Sequence, residues 1–177
     1  MNILLVAINS KFIHTNLAVY SLKAYAANYH DNVILKEFTI NHRTDTILSQ
    51  IYKEKPDVLF ISTYVWNVEV VEELLLELKK VLPNIPIWLG GPEVSYDARE
   101  KLSQYGEIKG IICGEGEATF KELVEYYLTN HKDLKDISGI TYRSGDEICV
   151  NPSRSLLNLD DISIPYENLD DFEHKII

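Results

Sequence analysis

The sequence predicts an α/β domain in which a doubly wound, Rossmann-like sheet of five parallel strands carries helices on both faces. Two observations lead to this fold class. Short apolar runs alternate with amphipathic segments over residues 1–135, and such alternation favours strand–helix–strand units in a parallel sheet. The first run, residues 2–7, is apolar throughout after Asn2, as expected for a strand buried on both faces. We expect the flavodoxin-like strand order 2-1-3-4-5.

Each element has its own local signal. Asn67 stands at the position of an N-cap, and the helix after it has an apolar stripe at positions 71, 74, 75, 78 and 82. Thr44 is expected to cap the second helix. The predicted strands are residues 2–7, 33–38, 58–61, 85–89 and 109–112. The predicted helices are residues 15–28, a short helix after Thr44, a longer one after Asn67, and residues 94–103 and 115–129.

The pattern changes after residue 135. Two short β-type runs, 137–142 and 147–150, are joined by the turn-like residues 143–146, which predicts a hairpin. Residues 151–177 show little periodicity and are interpreted as a linker. The predicted organisation is therefore an α/β domain over residues 1–135, an appended hairpin over 136–150 and a linker over 151–177.

Composition excludes several classes of function. The net charge is −10 and no block of Lys or Arg occurs, so we expect no nucleic-acid partner. No apolar run approaches the length of a membrane span, and the N-terminus lacks the features of a signal peptide. Cys113 and Cys149 are far apart and form no metal-ligand motif, which is typical of a cytoplasmic protein with two ordinary thiols.

Ligands of doubly wound sheets bind at the carboxyl ends of the strands, which directs attention to loops 8–16, 62–67, 90–95 and 113–117. Loop 8–16 contains no glycine, which disfavours nucleotide and flavin phosphates. The acidic residues that a phosphorelay receiver needs are absent from the ends of the first and third strands. That function is excluded.

The second loop combines the hydroxyls of Ser62 and Thr63 with the aromatic side chains of Tyr64 and Trp66. This combination suits a large, flat ligand that needs a polar anchor and an apolar wall. In the alternative interpretation, the two aromatic residues only pack under neighbouring loops.

The other two loops carry paired glycines and paired acids. Gly90 and Gly91 allow a ligand to approach the backbone closely, although a tight strand-to-helix turn is the alternative. Glu115 and Glu117 stand at a helix N-terminus, where the helix dipole alone would favour them. Carboxylates beside the cleft would repel a pyrophosphate and would accept hydrogen bonds from neutral amides.

Three segments carry a resemblance to a known family. Residues 9–18, Gly90-Gly91-Pro92-Glu93 and Gly114-Glu115-Gly116-Glu117 resemble the N-terminal domain of cobalamin-dependent radical S-adenosylmethionine (SAM) proteins. This group includes methyltransferases and the anaerobic magnesium-protoporphyrin ester cyclase. The resemblance covers about residues 1–150. Residues 157–166 resemble the linker before the radical SAM barrel, and no CxxxCxxC motif follows in this chain.

The resemblance implies that the domain binds cobalamin in a base-off form, with the dimethylbenzimidazole tail between the first and third strands. Ser62 takes the place of the family's tail-lining serine, and Gly90-Gly91 the place of its glycine pair. The iron–sulfur cluster (4Fe-4S) and S-adenosylmethionine are expected only in the barrel. The cofactor-binding residues that we predict are Asn9, Ser10, His14, Thr15, Asn16, Ser62, Thr63, Tyr64, Val65, Trp66, Gly90, Gly91, Pro92, Glu93, Val94, Gly114, Glu115, Gly116 and Glu117.

His14 lies in the loop that supplies the axial cobalt ligand in the related methionine-synthase-like fold, where the motif is DxHxxG. Here Phe12 replaces the aspartate that orients the imidazole, and Leu17 replaces the glycine. His14 is therefore the one candidate metal ligand, and base-off binding without histidine is the state we expect.

The leading hypothesis is that the domain presents cobalamin to a radical SAM barrel for radical methyl transfer. Cobalamin-supported cyclisation or rearrangement is an alternative that this part of the protein does not separate from methylation. A non-catalytic cobalamin sensor is a third hypothesis, and a flavin-binding module a fourth. We expect no catalytic residue in this chain, because the cofactor carries the chemistry.

Overall fold

Five parallel strands form the centre of the structure, a computed structural model that describes residues 1–11 and 15–158. An antiparallel hairpin extends the same sheet. The strands are β1 (Ile3–Asn9), β2 (Val33–Thr39), β3 (Val58–Ser62), β4 (Ile87–Gly90), β5 (Gly110–Ile112), β6 (Ile140–Ser144) and β7 (Glu147–Val150).

The strand order is β2-β1-β3-β4-β5-β6-β7. Its parallel part, β2 to β5, has the predicted order. The prediction of a five-stranded sheet was wrong, because the hairpin is not a separate appendage. It pairs antiparallel with β5, with Gly110 opposite Tyr142. The hairpin thereby covers the open edge of a short, fully buried strand.

In the part of the chain that the structure describes, the helices around the sheet are α1 (Leu17–Tyr25), α2 (Thr44–Glu54), α3 (Val68–Val81), α4 (Pro92–Ser95), α5 (Ala98–Gln104) and α6 (Glu117–Thr129). The predicted helix 15–28 is shorter than expected and is followed by a 3-10 turn, Ala27–Asn32. The predicted helix 94–103 is two helices, α4 and α5. Thr44 is not a cap, because Arg43 occupies the N-cap position and the Thr44 hydroxyl donates to Glu73 instead.

The core lies on both faces of the sheet. Leu4, Val6 and Ile8 of β1 belong to a buried cluster that includes residues of α2, α3 and α5. Ile3, Leu5 and Ala7 point to the opposite face and belong to a cluster that includes residues of α1 and α6. This alternation explains the apolar run at residues 2–7, since both sets of side chains are buried.

Over the described residues, no helix has both the length and the apolar character that a membrane crossing requires.

Candidate functional site

A cavity of about 740 Å³ opens at the carboxyl edge of the parallel strands. It extends below the edge, between the sheet and the face covered by α1 and α6. Its lining brings together three of the four loops that the sequence analysis singled out. The predicted site residues in its wall are Ser62, Tyr64, Gly90, Gly91, Pro92, Gly114, Glu115, Gly116 and Glu117.

A second cavity of about 430 Å³ lies beside the first and involves the remaining loop, 8–16. Tyr64 and Ala18 line both cavities. The predicted site residues in the second cavity are Asn9, Ser10, Thr15, Asn16, Tyr64 and Trp66. His14 lies outside the described residues, so its predicted role as a cobalt ligand stays a prediction.

The floor of the larger cavity is aromatic and apolar. The rings of Phe60 and Trp88 stack with their centroids 6.4 Å apart, and Phe120 packs edge-on against Phe60 at 4.9 Å. Trp88 is fully buried, and its indole N–H donates to the Tyr127 hydroxyl over 2.8 Å. Because this polar group is satisfied, Trp88 presents only hydrocarbon to the cavity. Burial raises the pKa of Tyr127, which keeps this partner neutral.

The two glycines of the third loop have different structural roles. Gly91 has φ of +114°, and a Cβ there would lie 2.3 Å from the Thr63 carbonyl oxygen. A Cβ on Gly90 would meet Ile112 only at 3.7 Å, an ordinary contact. The turn itself therefore requires Gly91, whereas the absence of a side chain at Gly90 only leaves room in the cavity.

A hydrogen-bond network holds the first loop against the sheet. Glu37 on β2 accepts from the Asn9 side chain (2.9 Å), from the Asn16 backbone N–H (3.2 Å) and from the Tyr20 hydroxyl (2.7 Å). The Asn16 side chain in turn donates to the Ser62 hydroxyl oxygen over 3.2 Å. Ser62 accepts from Asn16 and donates to none of the described residues, so its hydroxyl can donate toward the cavity.

Asn67 fastens the second loop and does more than occupy an N-cap. It is fully buried, and its amide donates to the carbonyl oxygens of Ile8 (2.9 Å) and Ser62 (3.0 Å). Its Oδ1 accepts from the Tyr64 backbone N–H over 2.8 Å. One side chain thus ties the ends of β1 and β3 together where both cavities begin.

Tyr64 and Trp66 form a stacked pair above this point. Their ring centroids are 4.4 Å apart and the planes differ by 6°, and the Trp66 indole donates to the Ile8 carbonyl oxygen. Trp66 remains 43% exposed. The two rings therefore pack on each other and also form cavity wall, and their predicted contact with a large, flat ligand stays a prediction.

The two acids at the start of α6 both line the cavity, and each has a partner. Glu117 accepts from the Ser21 hydroxyl over 2.9 Å, which connects α6 to α1. Glu115 Oε2 accepts from the Leu157 backbone N–H over 2.7 Å. Glu115 Oε1 makes no hydrogen bond to the described residues, so it remains an acceptor at the cavity.

Four predicted residues lie away from both cavities. Val94 is fully buried in the core, and Thr63 is 1% exposed. The Thr63 hydroxyl has no hydrogen-bond partner among the described residues. Val65 is exposed to solvent, and Glu93 lies in the first turn of α4.

Sequence reasoning missed Glu37 and the reach of Asn67. β2 also contains Lys36 and Thr39, so a polar residue in this strand did not mark Glu37 as a support of the first loop. Nothing in the sequence indicated which atoms the Asn67 amide would reach.

Residues 3–124 match the model of the B12 binding domain. The chain belongs to this family. The predicted resemblance is thereby confirmed, and cobalamin is the cofactor of this domain.

Curated relatives agree with this assignment. The chain is 33% identical over 113 residues to the cobalamin-dependent radical SAM methyltransferase TokK of Streptomyces tokunonensis, which covers 63% of this chain and 17% of that protein. It is 28% identical over 154 residues to an uncharacterized methyltransferase of Pyrococcus horikoshii, a match that covers 86% of this chain and 33% of that protein. It is 34% identical over 102 residues to the anaerobic magnesium-protoporphyrin IX monomethyl ester cyclase of a Synechocystis species, a match that covers 57% of this chain and 20% of that protein.

The B12-binding chain thus spans at most about a third of these relatives. Among solved structures, it is similar to the cobalamin-dependent S-adenosylmethionine radical enzyme OxsB with aqua-cobalamin and S-adenosylmethionine bound. The TM-score is 0.77 at 17% identity, covering 98% of this chain and 25% of that one. It also resembles the methanol:cobalamin methyltransferase complex MtaBC of Methanosarcina barkeri, with a TM-score of 0.54 at 16% identity, covering 75% and 48%. At these identities, both similarities concern the fold.

Proposed function

We propose that this domain holds the tail of cobalamin in the larger cavity and presents the cofactor to a radical SAM catalytic domain for radical methyl transfer. The observation that carries the site assignment is the shape of the cavity, which opens at the sheet edge and ends on Phe60 and Trp88. A planar aromatic base fits an apolar floor of this kind.

The residues at the cavity mouth suit the polar part of the same ligand. The Ser62 hydroxyl accepts from Asn16 and still has a proton to donate, so it can supply a donor within the upper cavity. Glu115 and Glu117 supply acceptors for the amide groups that fringe a corrin ring. Gly90 leaves space where a side chain would narrow the entrance. The residues present therefore fit the cofactor.

In this proposal, the residues of this chain bind cobalamin and orient it. Bound cobalamin supplies the alkyl-group chemistry, and S-adenosylmethionine and an iron–sulfur cluster belong to the catalytic domain. Among the described residues, no group of three His, Cys, Asp or Glu side chains is arranged to hold a metal ion. The proposal assigns no catalytic residue to this domain, because the bound cofactor carries the chemistry.

Cyclisation or rearrangement is the second candidate reaction. It is supported by the 34% identity to the magnesium-protoporphyrin ester cyclase. The two reactions can be distinguished by an experiment on the full-length protein. The protein is incubated with a cell extract and with S-adenosylmethionine labelled in its methyl carbon. Methyl transfer predicts label in a new product, and a product formed without label would favour cyclisation.

The binding step is tested directly on the 177-residue chain. The purified chain is mixed with hydroxocobalamin and desalted, and its absorption spectrum is recorded. We expect a corrinoid spectrum in the protein fraction with a base-off band. A protein fraction free of corrinoid would overturn the proposal.

A further inference from the structure

The chain does not leave the domain after β7. Residues 151–158, which we call the strap, double back toward α6 instead. The Asn151 N–H donates to the Ile140 carbonyl oxygen (3.0 Å), and the Gly139 N–H donates to the Pro152 carbonyl oxygen (2.8 Å). The Asn151 side chain adds two donations of 2.7 Å, to the carbonyl oxygens of Leu134 and Ile137. The start of the strap is therefore fixed to the strand next to β5.

Arg154 anchors the middle of the strap to α6. Its Nε donates to the Thr119 hydroxyl oxygen over 2.9 Å, and its Nη2 forms an ion pair with Glu122 and reaches the Ser138 carbonyl oxygen. The side chains of Arg154 and Glu122 are only 18% and 22% exposed. A charge-assisted pair that is largely shielded from water is stronger than a surface ion pair.

The far end of the strap has its own anchor. The Leu157 N–H donates to Glu115 Oε2, an atom of the cavity wall, over 2.7 Å. Ser153, just before the first anchor, and Leu156, between the two anchors, line the larger cavity. Leu156 is 83% exposed, so its apolar side chain stands at the cavity mouth with little protein to pack against.

We propose that the strap is part of the cobalamin site, with Leu156 and Ser153 closing over the bound cofactor and Arg154 and Glu115 holding them in place. This inference rests on the assignment of cobalamin to the larger cavity. It adds to the site a segment that follows β7, although the family match ends at residue 124. In this proposal, the segment that would lead to the catalytic domain contacts the cofactor directly.

The first test compares two exposed leucines. Leu156→Ser removes the apolar contact at the cavity mouth, and Leu76→Ser removes a side chain on α3 that is 57% exposed and far from the cavity. Both variants should keep the wild-type melting temperature. Loss of a leucine buried by the ligand predicts cobalamin release about tenfold faster for Leu156→Ser. The Leu76→Ser rate should equal that of the wild type.

The second test concerns the anchor. Arg154→Met keeps the length of the side chain but removes the ion pair, and Arg154→Lys keeps the charge. We expect faster cobalamin release from Arg154→Met and a partial return toward the wild-type rate in Arg154→Lys. Amide hydrogen exchange over residues 153–157 should slow when cobalamin binds the wild-type chain, a change that a merely structural anchor would not produce.

The outcomes separate the two proposals. A wild-type chain that retains no corrinoid overturns the cavity assignment itself. A wild-type chain that retains cobalamin, while Leu156→Ser releases it at the wild-type rate and the strap amides show no protection, overturns the role of the strap alone. Should Arg154→Met fail to fold, the Leu156→Ser rate and the exchange measurement still decide.

Discussion

Gly91 and Thr63 lie so close that a Cβ on Gly91 would stand 2.3 Å from the Thr63 carbonyl oxygen. This contact joins the loops that follow β3 and β4, and both loops line the cavity. The Thr63 N–H also donates to the Gly90 carbonyl oxygen over 2.7 Å. Backbone packing at this point therefore fixes the entrance of the site.

Substitutions of Gly90 and Gly91 distinguish an effect on the stability of the fold from an effect on ligand binding. Gly91→Ala should lower the free energy of unfolding by about 3 kcal/mol, because the backbone conformation and the approach to Thr63 both exclude a side chain. Gly90→Ala should unfold like the wild type but bind cobalamin more weakly, because its methyl group enters the cavity. Urea unfolding and a cobalamin titration measure the two effects. Equal stability of the two variants would contradict this division of roles.

Asn67 is expected to be essential for the stability of the cavity edge. Asn67→Ala leaves the partly buried Tyr64 N–H without its acceptor and the Ser62 carbonyl oxygen without this donor. Removing such partners should cost about 2–4 kcal/mol in the free energy of unfolding. Asn84→Ala, at an exposed position near the opposite edge of the sheet, is the control and should stay within about 0.5 kcal/mol. Similar losses in both variants would refute the role of Asn67.

Cys113 offers a chemical probe of the cavity. It lines the cavity wall, and burial raises the pKa of its thiol, while hydrogen bonding with Thr141 opposes that shift. The thiolate is the reactive form, so alkylation by iodoacetamide should begin at a higher pH than for a free thiol. The reaction should become slower still when cobalamin is bound.

The probe is read by mass spectrometry in a Cys149→Ser variant, which leaves Cys113 as the only thiol of the chain. Alkylation that follows the pH dependence of a small free thiol would contradict the burial argument. Alkylation that cobalamin does not slow would place the cofactor away from Cys113.

Local sequence patterns predicted the parallel part of the fold because each strand has its own apolar run. The fold class then directed attention to the correct edge of the sheet. The sequence predicted where the hairpin lies along the chain but not that it joins the sheet. The pairing of Gly110 with Tyr142 is a contact between residues that are distant in sequence. The division between α4 and α5 was missed as well, because the segment from Val94 to Ser103 has no Gly or Pro to mark a break.

The sequence predicted the loops of the candidate site, but it did not reveal the side chains that hold these loops in place. Ser62, Gly90 and Glu115 could be found because they stand at the end of a strand or in the loop just after one, a position that can be identified along the chain. Glu37 and Arg154 could not, since their partners are up to 28 and 35 residues away in sequence. Such hydrogen bonds depend on the folded arrangement of several elements. The predicted linker at 151–177 is described only as far as residue 158, and Ser153 and Leu156 within it line the cavity.

One titration tests most directly whether cobalamin occupies the cavity between α1 and the sheet, as we propose. Ala18 is exposed on α1 and lines both cavities, whereas Ala27 is exposed just after α1 and lines neither. Ala18→Trp should weaken cobalamin binding at least about tenfold, because the indole fills the entrance at a cost above about 1.4 kcal/mol. Ala27→Trp should bind like the wild type. Unchanged affinity in Ala18→Trp, with the fold intact, would show that the cofactor binds elsewhere.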